Sequence, residues 1–279
     1  MDLNAAIYPS DQEVLDRAYS PSHLVESLDH YLEVYYNRSA RTSGRLTGKK
    51  VSYGPDERQR LTFFNGGNEK APLVLFIHGG FWSALDGDQF TFLAEAFNAV
   101  GLHYAALTYR LVPDVSLTDI VEDVVQSLKF LHDNAETLDI DPGKIVLVGH
   151  SAGAHLAAMM ATRSDVVTPA GLMLVSGVFE LGPVQASYVN DTAHITDAEV
   201  EHLSPARLRP VHTMPVYLAV GDIEPDAFIA QSELQKDEWP GCGLSVVSGR
   251  NHFDIVFDLA DPETELFEQI QLMTADKSE

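Results

Sequence analysis

The sequence predicts an α/β fold, a mostly parallel central sheet with helices on both faces. Three observations carry this. Short continuous apolar runs such as "PLVLFIH" and "KIVLVG" have the pattern of strands covered on both faces. Between such runs lie stretches with apolar residues at helical spacing, as in "LTDIVEDVVQSLKFLHDN". The alternation persists over about 200 residues, which calls for parallel strands joined by helical crossovers.

In chain order, residues 11–36 ("DQEVLDRAYSPSHLVESLDHYLEVYY") have a helical period, interrupted at Ser20-Pro21. "NRSARTSGRLTGKK" is polar and contains glycine, and reads as a linker into the main fold. Residues 1–45 are therefore expected to form a helical N-terminal segment. Two short strands follow, "KVSYG" and "QRLTFF", with Gly54-Pro55-Asp56 as the turn between them. "PLVLFIH" and "LHYAALTYR" are the next strands, and the helix from Leu117 has acids near its start, where the helix dipole favours them. "KIVLVG" is a strand and "AGAHLAAMMATR" a helix. "GLMLVSG", "PVYLAVG" and "GLSVVSG" are further strands, with "FIAQSELQKDE" a helix between the last two and "ETELFEQIQLMTA" a closing helix. The regular traffic breaks at 179–213, and a segment that long between two strands is expected to form a cap or pocket wall. The whole of 1–279 reads as one domain.

Composition narrows the function. Acidic residues outnumber basic ones 41 to 18, a formal charge of −23. Such a surface repels phosphate backbones and anionic lipid, so neither nucleic acid nor membrane is an expected partner. A single cysteine, Cys242, excludes an internal disulfide and a Cys-based zinc site, and it leads into what reads as a buried strand. No basic and apolar leader opens the sequence and no run reaches the length of a membrane span, so a cytoplasmic protein is expected. A homodimer is compatible with this kind of fold.

"LVGHSAGAHLAAMM" carries the chemistry. "GHSAG" is a G-x-S-x-G pentapeptide, which arises by chance in roughly one chain in ten of this length. Its setting raises its weight, because "KIVLVG" supplies a strand before Ser151 and "AGAHLAAMM" a helix after it. A nucleophile elbow requires that strand–turn–helix order. Glycines at 149 and 153 allow the turn to tighten, and the helix N-terminus favours developing negative charge. A plain helix N-cap serine is the alternative. Upstream, "HGGFW" follows an apolar strand, and glycines there let backbone N–H groups approach an incipient alkoxide. The expected oxyanion donors are the N–H groups of Gly80, Phe81 and Ala152. In α/β-hydrolases the acid and then the histidine follow the serine along the chain. "GDIEPDAF" offers Asp222, Glu224 and Asp226 after a late strand; the middle position favours Glu224, with Asp222 second. His252 in "GRNHFDIV" follows the last strand and is the expected base. The remaining histidines lie in strands, surface helices or the insertion. Trp82 is a candidate for lining the substrate pocket or equally a core aromatic, and His155, one turn after Ser151, is a pocket candidate or an ordinary packed histidine. No metal or cofactor motif is present, so neither is expected; the expected partner is a small-molecule substrate.

Several of these stretches together resemble the arylformamidase (kynurenine formamidase) group of α/β-hydrolases, related to the hormone-sensitive-lipase-like esterases. They are "VSYGPDERQRLTFF", "HGGFW", "GHSAGAHLAAMM", "LVSGVFEL", "GDIEPDAFIAQSEL" and "NHFDIV", spread over residues 50–258. The resemblance implies an α/β-hydrolase fold with small cap segments. It also implies hydrolysis of N-formyl-kynurenine to kynurenine and formate in tryptophan breakdown. It assigns Ser151 as nucleophile, His252 as base and the Glu224 position as acid. The alternative is a carboxylesterase or amidase acting on another small ester or amide, for example in heterocycle degradation. For the kynurenine carboxylate the only basic candidates are Arg110 and Arg250, by position.

Overall fold

The computed structural model describes residues 2–275. Eight strands form one sheet in the order β1-β2-β4-β3-β5-β6-β7-β8. They are β1 (Lys49–Ser52), β2 (Arg60–Phe64), β3 (Ala71–Ile77), β4 (His103–Thr108), β5 (Ile140–His150), β6 (Gly171–Val175), β7 (Val216–Gly221) and β8 (Gly243–Val247). β1 pairs antiparallel with β2, and β2 antiparallel with β4. Every later pairing is parallel. This is the α/β-hydrolase arrangement, with crossovers returning the chain to the same end of the sheet for each new parallel strand, β4 on one side of β3 and β5 to β8 on the other.

The helices are α1 (Leu3–Ile7), α2 (Gln12–Ala18), α3 (Leu28–Ser43), α4 (Ala94–Ala99), α5 (Leu117–Asp133) and α6 (Ala135–Leu138), followed by α7 (Ala152–Ala161). Then come α8 (Gly182–Ala186), α9 (Asn190–Ala193) and α10 (Asp197–His202) in the insertion, and α11 (Asp226–Glu238) and α12 (Glu265–Thr274). The strand period of two sorts the core into two layers. Leu73, Leu75 and Ile77 of β3 pack with α5, α7 and α11 on one face. Val74 and Phe76 point to the other, against α4 and α12 and the 3₁₀ turn Gly87–Leu93. α5 shows why local sequence suffices for its placement. Ser116 and Asp119 form a reciprocal capping box at its start. Ile120, Val121, Val124 and Leu128 bury one stripe of it.

The structure departs from or adds to the sequence reading at three points. The polar "NRSARTSG" is no linker: α3 continues through it to Ser43. Long-range bonds hold it there, with Ser39 Oγ donating to Gln89 O at 2.8 Å and Thr42 Oγ1 to Glu95 at 2.7 Å. The Arg38 guanidinium also lies 4.2 Å from the Phe257 ring centre. Second, the stretch between β3 and β4 folds as a 3₁₀ turn and α4, for which no helical period was visible. Third, β8 is an edge strand and only half-buried, so Cys242 before it is half-buried too. Among the described residues, no helix is long and apolar enough to cross a membrane.

One contact sets the position of α7. A Cβ on Gly153 would stand 1.9 Å from Ile77 O, and one on Gly149 would stand 2.2 Å from Gly153 O. Both obstacles are backbone, which cannot swing aside. Gly153→Ala is therefore expected to lower unfolding free energy by about 3 kcal/mol or more. Urea unfolding measures this, and wild-type stability would contradict so close a seating of α7 on β3.

Candidate active site

Ser151 sits between β5 and α7 with φ 57° and ψ −122°, a region that non-glycine residues rarely occupy. Its N–H donates to Val175 O at 2.8 Å, which ties the turn to β6. The side chain is 3% exposed. The Ser151 hydroxyl faces His252 Nε2 at 3.0 Å, and His252 Nδ1–H donates to Glu224 Oε2 at 2.6 Å. The carboxylate can only accept, so Nδ1 carries the proton and Nε2 is free to accept one from Ser151. A neutral imidazole held this way can deprotonate the hydroxyl and stay stabilised as the cation by the carboxylate.

Of the two carboxylates, Glu224 is the one in contact with His252. Glu224 is buried, and its Oε1 accepts from Ser176 Oγ at 2.5 Å and Gly221 N at 2.8 Å. Asp222 is exposed and accepts from Ser248 Oγ and Gly249 N, which makes it a loop carboxylate. Asp226 is exposed at the start of α11. The loop carrying His252 is braced from several sides. Tyr35 Oη donates to Phe253 O, the Tyr31 ring stacks on Phe253 at 5.5 Å, and Asn251 Nδ2 donates to Tyr31 Oη at 2.9 Å. His150 Nε2–H donates to His252 O at 2.8 Å. Tyr31 and Tyr35 carry no motif in the sequence; only the fold brings them to the site, whereas Ser176 lies in "LVSGVFEL".

The "HGGFW" loop lies against the serine. A Cβ on Gly79 would stand 2.7 Å from Ser151 Cβ, so only a glycine admits this approach. Gly80, Phe81 and Trp82 all have positive φ, at 98°, 45° and 58°. Tyr109 Oη donates to His78 O at 2.8 Å, and Val112 N to Trp82 O at 3.0 Å, which holds the loop in this shape. Among the described residues, the N–H groups of Gly80, Phe81 and Ala152 take part in no turn, cap or side-chain hydrogen bond. They remain available to an oxyanion.

A cavity of about 320 Å³ opens over Ser151 and His252. Phe81, Leu85 and Phe253 line it, with Leu28, Leu32 and Tyr35 from α3 and Tyr188, Val189 and Thr192 from the insertion. The expected pocket residues Trp82 and His155 are not there. Both are fully buried, packed edge to face at 5.1 Å, with His155 Nε2–H donating to Leu203 O. His155 shares the serine's helix, but its side chain turns into the layer between α7 and the insertion. Arg110 and Arg250 are not carboxylate binders either, because each is forked onto a buried aspartate, Asp123 and Asp258 respectively.

Three buried histidines surround the site as neutral rings. His78, His150 and His155 each give one N–H to a backbone carbonyl, and the other ring nitrogen has no partner. Burial pushes their pKa values down, to about 4 for His78 and His155 and about 3 for His150, where neighbouring His252 adds to the effect. The unfolded chain then binds more protons than the folded one between the two sets of values, so stability rises with pH there. The loss on acidification starts near pH 6.5 and continues to about pH 4 for His78 and His155 and about pH 3 for His150, with a slope of up to roughly 1.4 kcal/mol per pH unit for each ring. Imidazole NMR titration should find these three rings unprotonated down to pH 5, and three normal titrations near 6.5 would contradict their burial.

The BD-FAE family model matches residues 63–232. Kynurenine formamidase of Danio rerio is 29% identical over 290 residues, covering 96% of this chain and 97% of its own. That of Drosophila melanogaster is 23% identical, covering 90% and 94%. Among solved structures, a candidate thioesterase from Silicibacter sp. superposes with a TM-score of 0.85 at 26% identity, covering 94% of this chain and 99% of that one. An esterase of Pyrobaculum calidifontis, at 18% identity, shares the fold with a TM-score of 0.68 over 96% and 97% of the two chains. The chain belongs to the BD-FAE family, in the α/β-hydrolase group that includes kynurenine formamidases and esterases, and it is a hydrolase of amide or ester bonds.

Proposed function

We propose that the chain is a serine hydrolase that cleaves aryl formamides, with Ser151 as nucleophile, His252 as base and Glu224 as the acid that orients it. The reaction that the relatives' name points to is N-formyl-kynurenine plus water giving kynurenine and formate. The observation that carries the reading is the continuous hydrogen-bonded chain from Glu224 through His252 to Ser151, opening onto a cavity. His252 Nε2 takes the Ser151 proton as Oγ bonds to the formyl carbon. The N–H groups of Gly80, Phe81 and Ala152 hold the oxygen as it becomes negative. His252 then gives that proton to the aryl nitrogen as the C–N bond breaks. Water attacks the formyl-serine, His252 takes its proton and returns it to Ser151, and formate leaves. An aryl amine departs more easily than an alkyl amine, so an esterase-type triad suffices.

A second reading keeps the machinery and changes the substrate, to a small ester or another small amide. The uncharged cavity lining favours it, since nothing there is particular to a formamide.

Purified enzyme assayed side by side on N-formyl-kynurenine and p-nitrophenyl acetate separates the two. A kcat/KM for the ester higher by about 100-fold or more transfers the assignment to the esterase reading. Ser151→Ala is expected to lower kcat by about 10⁴-fold or more on either substrate with the fold intact. Glu224→Gln is expected to lower it by about 100-fold or more, while Asp222→Asn stays within about threefold of wild type. Near-normal turnover in Glu224→Gln would move the acid elsewhere.

A further inference from the structure

The cavity contains aromatic and aliphatic groups and hydroxyls but no charge. Among the described residues, no Asp, Glu, Lys or Arg lines it, either beside Ser151 or at the exposed mouth formed by Leu28, Tyr188 and Thr192. The histidine beside the serine, His150, is buried with its N–H on a carbonyl and is held neutral. Several arginines flanking the lining in sequence or holding its loops are occupied, and Arg17, four residues before Pro21, is exposed and faces Glu13 at 3.7 Å. Arg58 gives two hydrogen bonds to the backbone carbonyls of Tyr109 and Leu85, Arg38 lies on the Phe257 ring, and Arg250 is forked onto Asp258. The overall charge of −23 further disfavours a carboxylate arriving at this mouth.

An amino-acid end brought into such a cavity would leave its carboxylate and ammonium without partners, and unpaired charge is strongly disfavoured in an apolar site. An uncharged ring instead meets Phe81, Phe253 and Tyr35, surfaces suited to stacking and edge contacts. We infer that the leaving-group side of this cavity selects uncharged aryl groups and gives no recognition to an amino-acid end. Neutral aryl formamides and aryl esters are then better substrates than their amino-acid counterparts, N-formyl-kynurenine included. The inference rests on the reading of Ser151 as nucleophile and adds to it the substrate class.

Two matched pairs test it with the wild-type enzyme. The first is 2-formamidoacetophenone against N-formyl-kynurenine, the same aryl formamide without and with the amino-acid end. The second is 4-methylphenyl acetate against O-acetyl-tyrosine. Each kcat/KM is divided by the substrate's own hydroxide-catalysed rate to remove intrinsic reactivity. The neutral member is expected to be favoured by about 10-fold or more in each pair that turns over, mainly through KM. A smaller preference or the reverse order overturns the inference. If only the ester pair turns over, the formamide reading falls and the esters alone decide the present one. Silence of both pairs overturns both. Turnover that survives Ser151→Ala overturns the serine mechanism on which they rest.

Discussion

The site depends on one steric constraint: the strand-to-helix turn at Ser151 must run in backbone contact with the neighbouring strand. Gly149 and Gly153 leave no room for a Cβ on either side of that turn. Ser151 between them adopts a backbone conformation that costs of order 1–3 kcal/mol for a residue with a side chain. The reward of that geometry is directional. The hydroxyl stands off the end of the sheet and the N–H of Ala152 is left unpaired at the start of α7. The "HGGFW" loop then closes onto the same point, because Gly79 also lacks the side chain that would collide with Ser151. Positive φ at Phe81 and Trp82 extends the strain into this loop. The surrounding core sustains it: β3 and the second half of β5, residues 145–150, are buried, and Trp82 is wholly enclosed.

A second tier of contacts positions the groups that follow in the chain. His252 lies on a loop with little regular structure, and its imidazole would wander if only the Glu224 bond held it. The loop is pinned instead between α3 and the end of β7. Tyr31 and Tyr35 hold one side, and Ile223 N donates to Arg250 O at 2.9 Å on the other. The helical N-terminal segment thus both braces the His252 loop and walls the cavity, since Leu28 and Leu32 come from the same helix as Tyr35.

These two tiers differ in how far they can be read from the sequence, for a physical reason. β3, β5 and the elbow are legible because apolar runs, glycines and a helical period are local signals that survive in any context. His252 and the choice of Glu224 over Asp222 are legible from order and spacing, since a side chain at the strand's end points differently from one two residues on. The continuation of α3 through "NRSARTSG" is not legible, because Ser39 and Thr42 find their partners about 50 residues away, at Gln89 and Glu95. Trp82 and His155 mislead for a related reason. Proximity in sequence to a motif, the elbow for His155 and the glycine loop for Trp82, does not say which way a side chain turns, and both turn into the core, where their rings pack on each other. The cavity walls are the least legible part, since α3 and the insertion meet there only in the folded chain.

Charge follows the same division between what is built in and what appears only during reaction. Every buried ionised group near the site already has its partners: Glu224 accepts from Ser176, Gly221 and His252, Asp123 holds Arg110, and Asp258 holds Arg250. The buried histidines around them stay neutral. In the proposed mechanism, uncompensated charge at the reacting centre therefore develops only as Ser151 attacks, with the oxyanion facing free amides and the imidazolium facing Glu224. Both partners are fixed before the reaction begins, so little reorganisation is required when the charge appears. An apolar cavity serves that arrangement because it excludes the water that would otherwise screen it, strengthening each of those interactions at the moment of attack.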